Sequence, residues 1–584
     1  MTRRKLSVLL AAVVAVSGLA TTAAAGDNDS GFKTTRPSML TPVMAGVGVT
    51  PLLTVGDALQ SGFRFESIPD GISVRTRGQG RVDLYVNHET SKVPFPYVTA
   101  APTAANGESD FDNAQVSHLI LNQHSAGTLN GSFAIPSSGG FQRFCSNYLA
   151  TAREDFDREI FFTNEESPDY VLRQEHSWPP ALTSTEQEEN GVVVALEVKT
   201  GKYETVYGMG RHNHENDVAI PGYGHPVVFS GDDTFTSGPL TIPPGGPLTV
   251  ASVPAQSQLY SYVAPSTDAL LADQGDLWAF VSDTPGLDDY YDFTPSMSAT
   301  QEATGHFIKV PKNIATGRNA DGSEIRAADV GFPAPPTDGS WQRDLRTTTP
   351  TGIDGPQWVL EYWSDLNHVF QFVRVEDIAY DKRPGMGNVV YVVDSGRGTA
   401  GASQPGRSTN GRVWRMVLDK SDPTTVTSLK VLVEGDDNPV KTVGEIHQPD
   451  NVESTAAGLL VTEDPGSSQQ FAPAEQSQPN ATTARLWWVP FSGSAQVVVK
   501  VDQSADGGPT DVDGRPNGNW GAWESSGVVD ASAAFGPGSF LIDVQAHTLW
   551  VEKAPGDDNT GDGEPDFTFK REGGQLLLLK IPGA

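Results

Sequence analysis

FQRFCSNYLATAREDFDREIFFTNEE, Phe141–Glu166, is the stretch from which the fold and the chemistry of this chain are read. It holds Cys145, the only cysteine in 584 residues. A lone thiol closes no intrachain disulfide, so Cys145 is buried filler, a reactive thiol or a metal ligand. Downstream lies a short apolar run, Ile160–Phe162, followed by Thr163 and then Asn164-Glu165-Glu166. A thiol and two carboxylates at the mouth of neighbouring strands would form a mixed soft and hard cation site.

The same pattern, an apolar run closing on an acid, recurs along the chain. It appears as VDLYVNHE (Val82–Glu89), EIFFTNEE (Glu159–Glu166), PVVFSGDD (Pro226–Asp233) and DLWAFVSD (Asp276–Asp283). It continues as NVVYVVD (Asn388–Asp394), GLLVTED (Gly458–Asp464) and, more loosely, FLIDVQAH (Phe540–His547). The chain carries 60 Gly and 42 Pro, and long amphipathic helical patterns are scarce. Short apolar runs bounded by turn residues are strands. The expected fold is therefore all-β: a β-propeller of about six blades, with the runs as inner strands whose ends converge at one mouth of the channel. Residues 100–114, 234–256, 296–350, 465–484 and 502–520 are rich in Gly, Pro, Ser or Thr and are expected as long loop insertions.

Residues 1–25 have the form of an export signal. Arg3-Arg4-Lys5 precedes an apolar run to about Val16, and Thr22-Ala23-Ala24-Ala25 offers small residues for cleavage. The paired arginines fit the twin-arginine route as well as an ordinary one. The expectation is a secreted or extracytoplasmic protein with residues 26–584 as one monomeric domain. Loss of three basic residues takes the net charge from −32 to −35. Such a chain should avoid nucleic acid and anionic membranes, and repel anionic substrates unless cations reverse the local sign.

Acids gathered at one mouth must be dispersed, protonated or neutralised. A pair about 4 Å apart costs roughly 4 kcal/mol at an effective dielectric near 20, and several pairs rival the roughly 5–15 kcal/mol that stabilises a domain. Calcium suits many-oxygen sites, and a thiolate with carboxylates suits a redox metal such as iron. Other stretches carry candidates. Gly210-Arg211-His212-Asn213-His214-Glu215 packs ligand types densely, though without a second histidine in His-Glu-x-x-His register. In Phe372–Asp377, alternation places Arg374 and Glu376 on one side of a strand, as a surface ion pair or as a fork for phosphate beside a metal-binding acid. Gln448-Pro449-Asp450-Asn451 sets an acid and an amide in a turn. Asp557–Asp566 lacks the glutamate of an EF-hand and reads as an acidic loop.

Together these pieces resemble the PhoX-type alkaline phosphatases, secreted bacterial β-propellers that use iron and calcium. The likeness runs in order from about residue 63 to 550, through Phe65–Gly71, Tyr85–Glu89, Cys145 with Thr163–Glu166, Gly210-Arg211 with His214-Glu215, and Ser230–Asp233. It continues through Gly275–Trp278, Arg374-Val375-Glu376, Pro449–Asn451 and Asp543–His547. The resemblance implies Cys145 and Glu215 as iron ligands, with a carboxylate from Glu165 or Glu166. It implies calcium at Asp232 (or its neighbour Asp233), Glu376 and Asp450, and phosphate contacts from Asn87 and Arg374. Departures are Ser146–Ala150 in place of a Gly-rich segment, Asn164 in place of a cysteine, and Val375 in place of a proline. The implied activity is hydrolysis of small phosphate esters. No Gly-x-Ser-x-Gly elbow or phosphate-cradling Gly-x-x-x-x-Gly-Lys loop points elsewhere. The rival expectations are a calcium-only phytase-like or lactonase-like hydrolase, and a calcium-stabilised propeller that binds a partner without catalysis.

Overall fold

The computed structural model describes residues 30–89, 114–168, 170–171, 188–234, 239–248, 252–253, 256–344, 351–396, 410–436, 444–464, 483–503, 523–552 and 567–584. The export signal and the acidic loop Asp557–Asp566 lie outside them.

Among the described residues, antiparallel strands form six four-stranded blades of a β-propeller, the third and fourth joined in one nine-stranded sheet. Their innermost strands are Pro69–Gly78, Phe144–Ala150, His214–Ala219, Val375–Tyr380, Pro449–Ser454 and Glu524–Asp530. Each packs against the next, and Glu524–Asp530 returns to Pro69–Gly78, so the ring closes. The sixth blade is completed by Gly48–Thr54 from the other end of the chain, paired with Phe567–Lys580. Leu40–Pro42 adds a fifth strand to blade 5. Ala303–Lys309 bridges the outer strands of blades 3 and 4, so strand and helix (Lys312–Thr316) occupy part of 296–350, where only loop is expected. Likewise Leu240–Thr241 and Ser252–Val253 pair within 234–256.

The recurrent apolar runs are second strands, not innermost ones, and Asp276–Ser282 is the outer strand of blade 3. The reason is packing. A second strand is covered by a neighbouring blade on each face, so both of its alternating sets are apolar. Phe161 faces the core between blades 1 and 2, and Phe162 the core between blades 2 and 3. Val390 and Val392 face blade 3, whereas Val389 and Tyr391 face blade 5. Leu541 faces blade 1, whereas Phe540 and Ile542 face blade 5. Six such cores, one at each interface, hold the ring. Innermost strands instead turn one edge to the channel and carry polar residues there.

Two glycines let backbones meet around the channel. A Cβ on Gly71 would lie 2.4 Å from the Asn147 nitrogen, and one on Gly527 (φ +25°) 2.4 Å from the Asp70 carbonyl oxygen. The helix Pro356–Leu366 is almost wholly buried, and Gln357 Nε2 donates to the carbonyls of Ser167 (2.9 Å) and Asn190 (3.2 Å) beside blade 2.

Closure by Gly48–Thr54 should set the stability of the ring. Leu53 is fully buried between blades 6 and 1. Leu53→Ala should cost about 2–5 kcal/mol, while Val43→Ala, at an exposed residue, should stay within about 0.5 kcal/mol. Calorimetric melting compares them, and equal melting temperatures would contradict closure through this strand.

Candidate metal and anion site

One irregularity, repeated in five blades, builds the site. Where each innermost strand begins, its first residue pairs normally with the second strand: Pro69 with His88, Phe144 with Glu165, His214 with Asp232, Val375 with Asp394, Pro449 with Glu463. The next pairing falls three residues on along the inner strand but two residues back along its partner. Two residues therefore face one, which is a β-bulge, and a bulge re-aims side chains. The first bulged residues are Asp70, Cys145, Glu215, Glu376 and Asp450.

A second set of acids comes from the residue just past each second strand. The backbone N–H groups of Glu89, Glu166, Asp233 and Asp464 donate back to the carbonyls of Ile68, Arg143, Asn213 and Gln448. In blade 4 the corresponding residue is Ser395, whose N–H donates to Arg374. Its hydroxyl donates to Glu376 Oε1. Ligand atoms from the two sets lie within 4.8 Å of one another in three groups: Asp70, Glu89 and Cys145; Cys145, Glu166 and Glu215; Glu215, Glu376 and Asp450. Cys145 joins the first two groups and Glu215 the last two.

The expected residues are distributed accordingly. Cys145, Glu166, Glu215, Glu376 and Asp450 come together. Glu165 and Asp232 do not join these groups. Each is the last residue of its second strand, one position short of the mouth, and alternation turns it away. Glu165 accepts from the N–H groups of Gln142 (3.0 Å) and Gly191 (3.2 Å). Asp232 accepts from Thr234 Oγ1 at 2.8 Å and lies 3.9 Å from His212. Their neighbours Glu166 and Asp233 take the mouth positions. Asp394 and Glu463 occupy the same inward place and hold Trp414 and Arg485 respectively.

Asn87 is fully buried opposite the bulge of blade 1. Its Nδ2 donates to the carbonyls of Cys145 (2.7 Å) and Ser146 (3.0 Å) and to Thr163 Oγ1 (2.9 Å), and its Oδ1 accepts from Asn147. This amide is spent on placing the Cys145 strand, so it is a positioning group and not the expected phosphate donor. Arg374 forks onto Asp233 (Nε–Oδ1 2.8 Å, Nη2–Oδ2 2.7 Å) and reaches Glu376 at 3.2 Å.

Of the other ligand-group members, Glu89 closes the run Val82–Glu89, whereas Asp70 lies at the start of an innermost strand and ends no run. A further layer lies just below, formed by the second bulged residues Ser146, Asn216, Asp377 and Asn451 together with Ser526 of blade 6. Ser146 Oγ donates to Glu215 Oε1 (2.8 Å) and accepts from Asn451 Nδ2 (2.8 Å) of blade 5. Ser526 Oγ donates to Asp70 Oδ1 at 2.5 Å, and Asn216 Nδ2 to Asp377 Oδ1 at 2.5 Å. The layer ties blades 2, 5, 6 and 1 together beneath the acids. The Ser or Asn one residue after Cys145, Glu215 and Asp450 is the signal that could have found it.

Burial is the first cause of every carboxyl shift here. It raises Glu215, with Glu166, Asp70, Glu376 and Asp450 adding repulsion. It raises Glu376 against the pull of Arg374. It raises Asp450, with Glu524 the next contributor. Asp70 is pushed up to about 7 by burial and by Glu89. Cys145 is raised by burial and the surrounding acids, and its Sγ donates to Asp70 Oδ2 at 2.6 Å. Among the described residues, Arg143 and Arg374 are the cations that pair with these acids. Among the described residues, buried Glu215 Oε2 and both oxygens of buried Asp543, which feels the charge of Asp70, meet no donor. Orphaned carboxylate oxygens beside a thiol suit bound cations: hard ions at the carboxylates, a thiophilic one at Cys145.

No family model matches the chain, and no curated protein matches it. Among solved structures it is similar to the acylaminoacyl peptidase of Pyrococcus horikoshii, with 8% identity and a TM-score of 0.27 over 86% of this chain and 52% of that one. It is also similar to the intramolecular trans-sialidase of Ruminococcus gnavus in complex with oseltamivir carboxylate, with 8% identity and a TM-score of 0.24 over 86% and 94%. The chain spans about half the length of the peptidase.

The shifts fix a pH dependence. Burial raises Asp377 to about 7, as burial and Glu89 raise Asp70; in the unfolded chain both ionise near 3.8. At these two groups the folded state holds more protons than the unfolded one, so the stability they contribute is full below about 4 and is lost as pH rises through about 7. In chelator-treated protein the melting temperature should fall by more than about 5 °C between pH 5 and pH 8, and added calcium should restore it. A flat or rising profile without cations would contradict the assignment.

Proposed function

We propose that the chain is a secreted, monomeric, metal-dependent hydrolase of small phosphate esters. The observation that carries the reading is the chain of three donor groups linked through Cys145 and Glu215 beside a forked arginine. Cys145, Glu166 and Glu215 would hold iron. Glu215, Glu376 and Asp450 would hold calcium, and Asp70 with Glu89 would complete a further position against Cys145. When bound, the cations supply positive charge for the phosphoryl oxygens and lower the pKa of a water at neutral pH.

The protein's own groups do the rest. Asp233 sets the plane of the Arg374 guanidinium, which can grip two phosphoryl oxygens with little reorganisation. Ser146 and Asn451 orient Glu215 from below, and Ser395 orients Glu376. Asn87 fixes the backbone that carries Cys145. Each outer contact limits the freedom of a ligand side chain, as supporting groups do around metals. The resemblance to PhoX-type phosphatases favours iron with calcium over calcium alone, because Cys145 lies at the junction of two donor groups.

The test is elemental analysis with turnover of a monoester and a diester by purified protein. Iron and calcium should both be present and the protein coloured. Cys145→Ser should lose iron and colour. Glu215→Ala should lose cations and lower the melting temperature. Arg374→Ala should keep its metals while kcat/KM falls about 10²–10³-fold. A colourless protein fully active as Cys145→Ser favours a calcium-only hydrolase. Full metal content with no turnover of either ester favours a binding propeller.

A further inference from the structure

The bulges give five blades a common numbering, and in it Arg143 is the counterpart of Arg374. Arg374 immediately precedes Val375, which pairs with Asp394; Arg143 immediately precedes Phe144, which pairs with Glu165. Both arginines hold left-handed backbone, φ +61° and φ +47°. That region is costly for a residue with a side chain, and such outliers gather at working sites. Both guanidinium groups reach acids of the second set, and Arg374 also reaches Glu376 of the first. Arg143 Nη1 lies 3.1 Å from Glu89 Oε2 and 3.8 Å from Glu166 Oε2. Arg374 holds Asp233 and Glu376. Blade 3, which brings Asp233 and Glu215, separates the two blades that carry the arginines. They differ in exposure: the Arg374 side chain is 11% exposed and that of Arg143 is 43% exposed.

We infer that Arg143 is a second anion-binding arginine at this mouth, which with Arg374 selects phosphate esters carrying two negative charges over those carrying one. This rests on the hydrolase reading of the preceding subsection. A phosphomonoester dianion presents three terminal oxygens and about two charges, enough to engage two guanidinium groups in addition to cations. A diester presents two terminal oxygens and one charge, so one arginine suffices and the second gains little. The exposed position of Arg143 suits capture of the incoming group, and the buried Arg374 suits a contact that tightens during reaction. Arginine is needed at both, because a lysine supplies charge without the planar fork.

The experiment compares kcat/KM for p-nitrophenyl phosphate and bis(p-nitrophenyl) phosphate in metal-loaded wild type, Arg143→Lys and Arg143→Gln, with metal content measured on each. Wild type should prefer the monoester. Arg143→Gln should lower monoester kcat/KM about 10–100-fold, mainly through KM, and diester kcat/KM less than about threefold, so the preference collapses. Arg143→Lys should recover part of it. Unchanged preference in active Arg143→Gln overturns the inference and leaves the hydrolase reading standing. So does loss of metal in Arg143→Gln with both esters slowed equally, which would make Arg143 a neutraliser of Glu89 and Glu166. No turnover of either ester by metal-loaded wild type overturns the hydrolase reading, and this inference with it.

Discussion

Everything at the mouth of this propeller follows from the cost of burying like charges together. Asp70, Glu166, Glu215, Glu376 and Asp450 are all nearly inaccessible to water, and each raises the protonation of its neighbours. Buried carboxylates at this density persist only as acids or beside positive charge. Two guanidinium groups answer part of the demand, and the rest falls to protons or metal ions. A cluster of this kind could take up cations, as the proposed function requires, and it sits in a scaffold whose stability must bear its cost. The six interblade cores provide that stability, and the strand Gly48–Thr54 keeps the ring from opening.

How the acids arrive is a matter of backbone geometry. A regular strand beside the channel would send alternate side chains into the two interblade cores. The bulge breaks that alternation for two residues, so one side chain points up into the cluster and the next lies in the layer beneath it. Ser146, Asn216 and Asn451 then bond to the groups above or across the channel. Precision in the upper layer depends on this lower one, which is where the ligand-bearing strands of separate blades touch through side chains. Asn87 performs the same service from the second strand, by bonding to two successive carbonyls of the bulge that carries Cys145.

Much of this was legible in the residues. The all-β propeller follows from runs ending in acid, which also mark Glu166, and the single thiol marks Cys145; Glu215, Glu376 and Asp450 come with the resemblance, and the number of blades is not legible in seven runs. The assignment of those runs to innermost strands does not hold, because two-faced burial marks the second strand of a blade. Between Glu165 and Glu166, and between Asp232 and Asp233, the sequence leaves the choice open: EE and DD read alike, and only the strand end decides which acid turns to the mouth. Glu89 ends one of those runs, whereas Asp70 ends none, and an acid after proline also reads as turn chemistry. Bulges themselves leave little trace in composition, so the lower layer and the matching of Arg143 with Arg374 required the pairing register.

The most direct measurement is calorimetric titration of calcium into chelator-treated protein near pH 7, repeated in buffers of different ionisation enthalpy to count the protons released. If the acids are protonated in the bare protein and metal-bound in the loaded one, binding should expel protons, about one or more per cluster, and fewer in Glu215→Gln. Binding without proton release, or no calcium binding, would contradict the account.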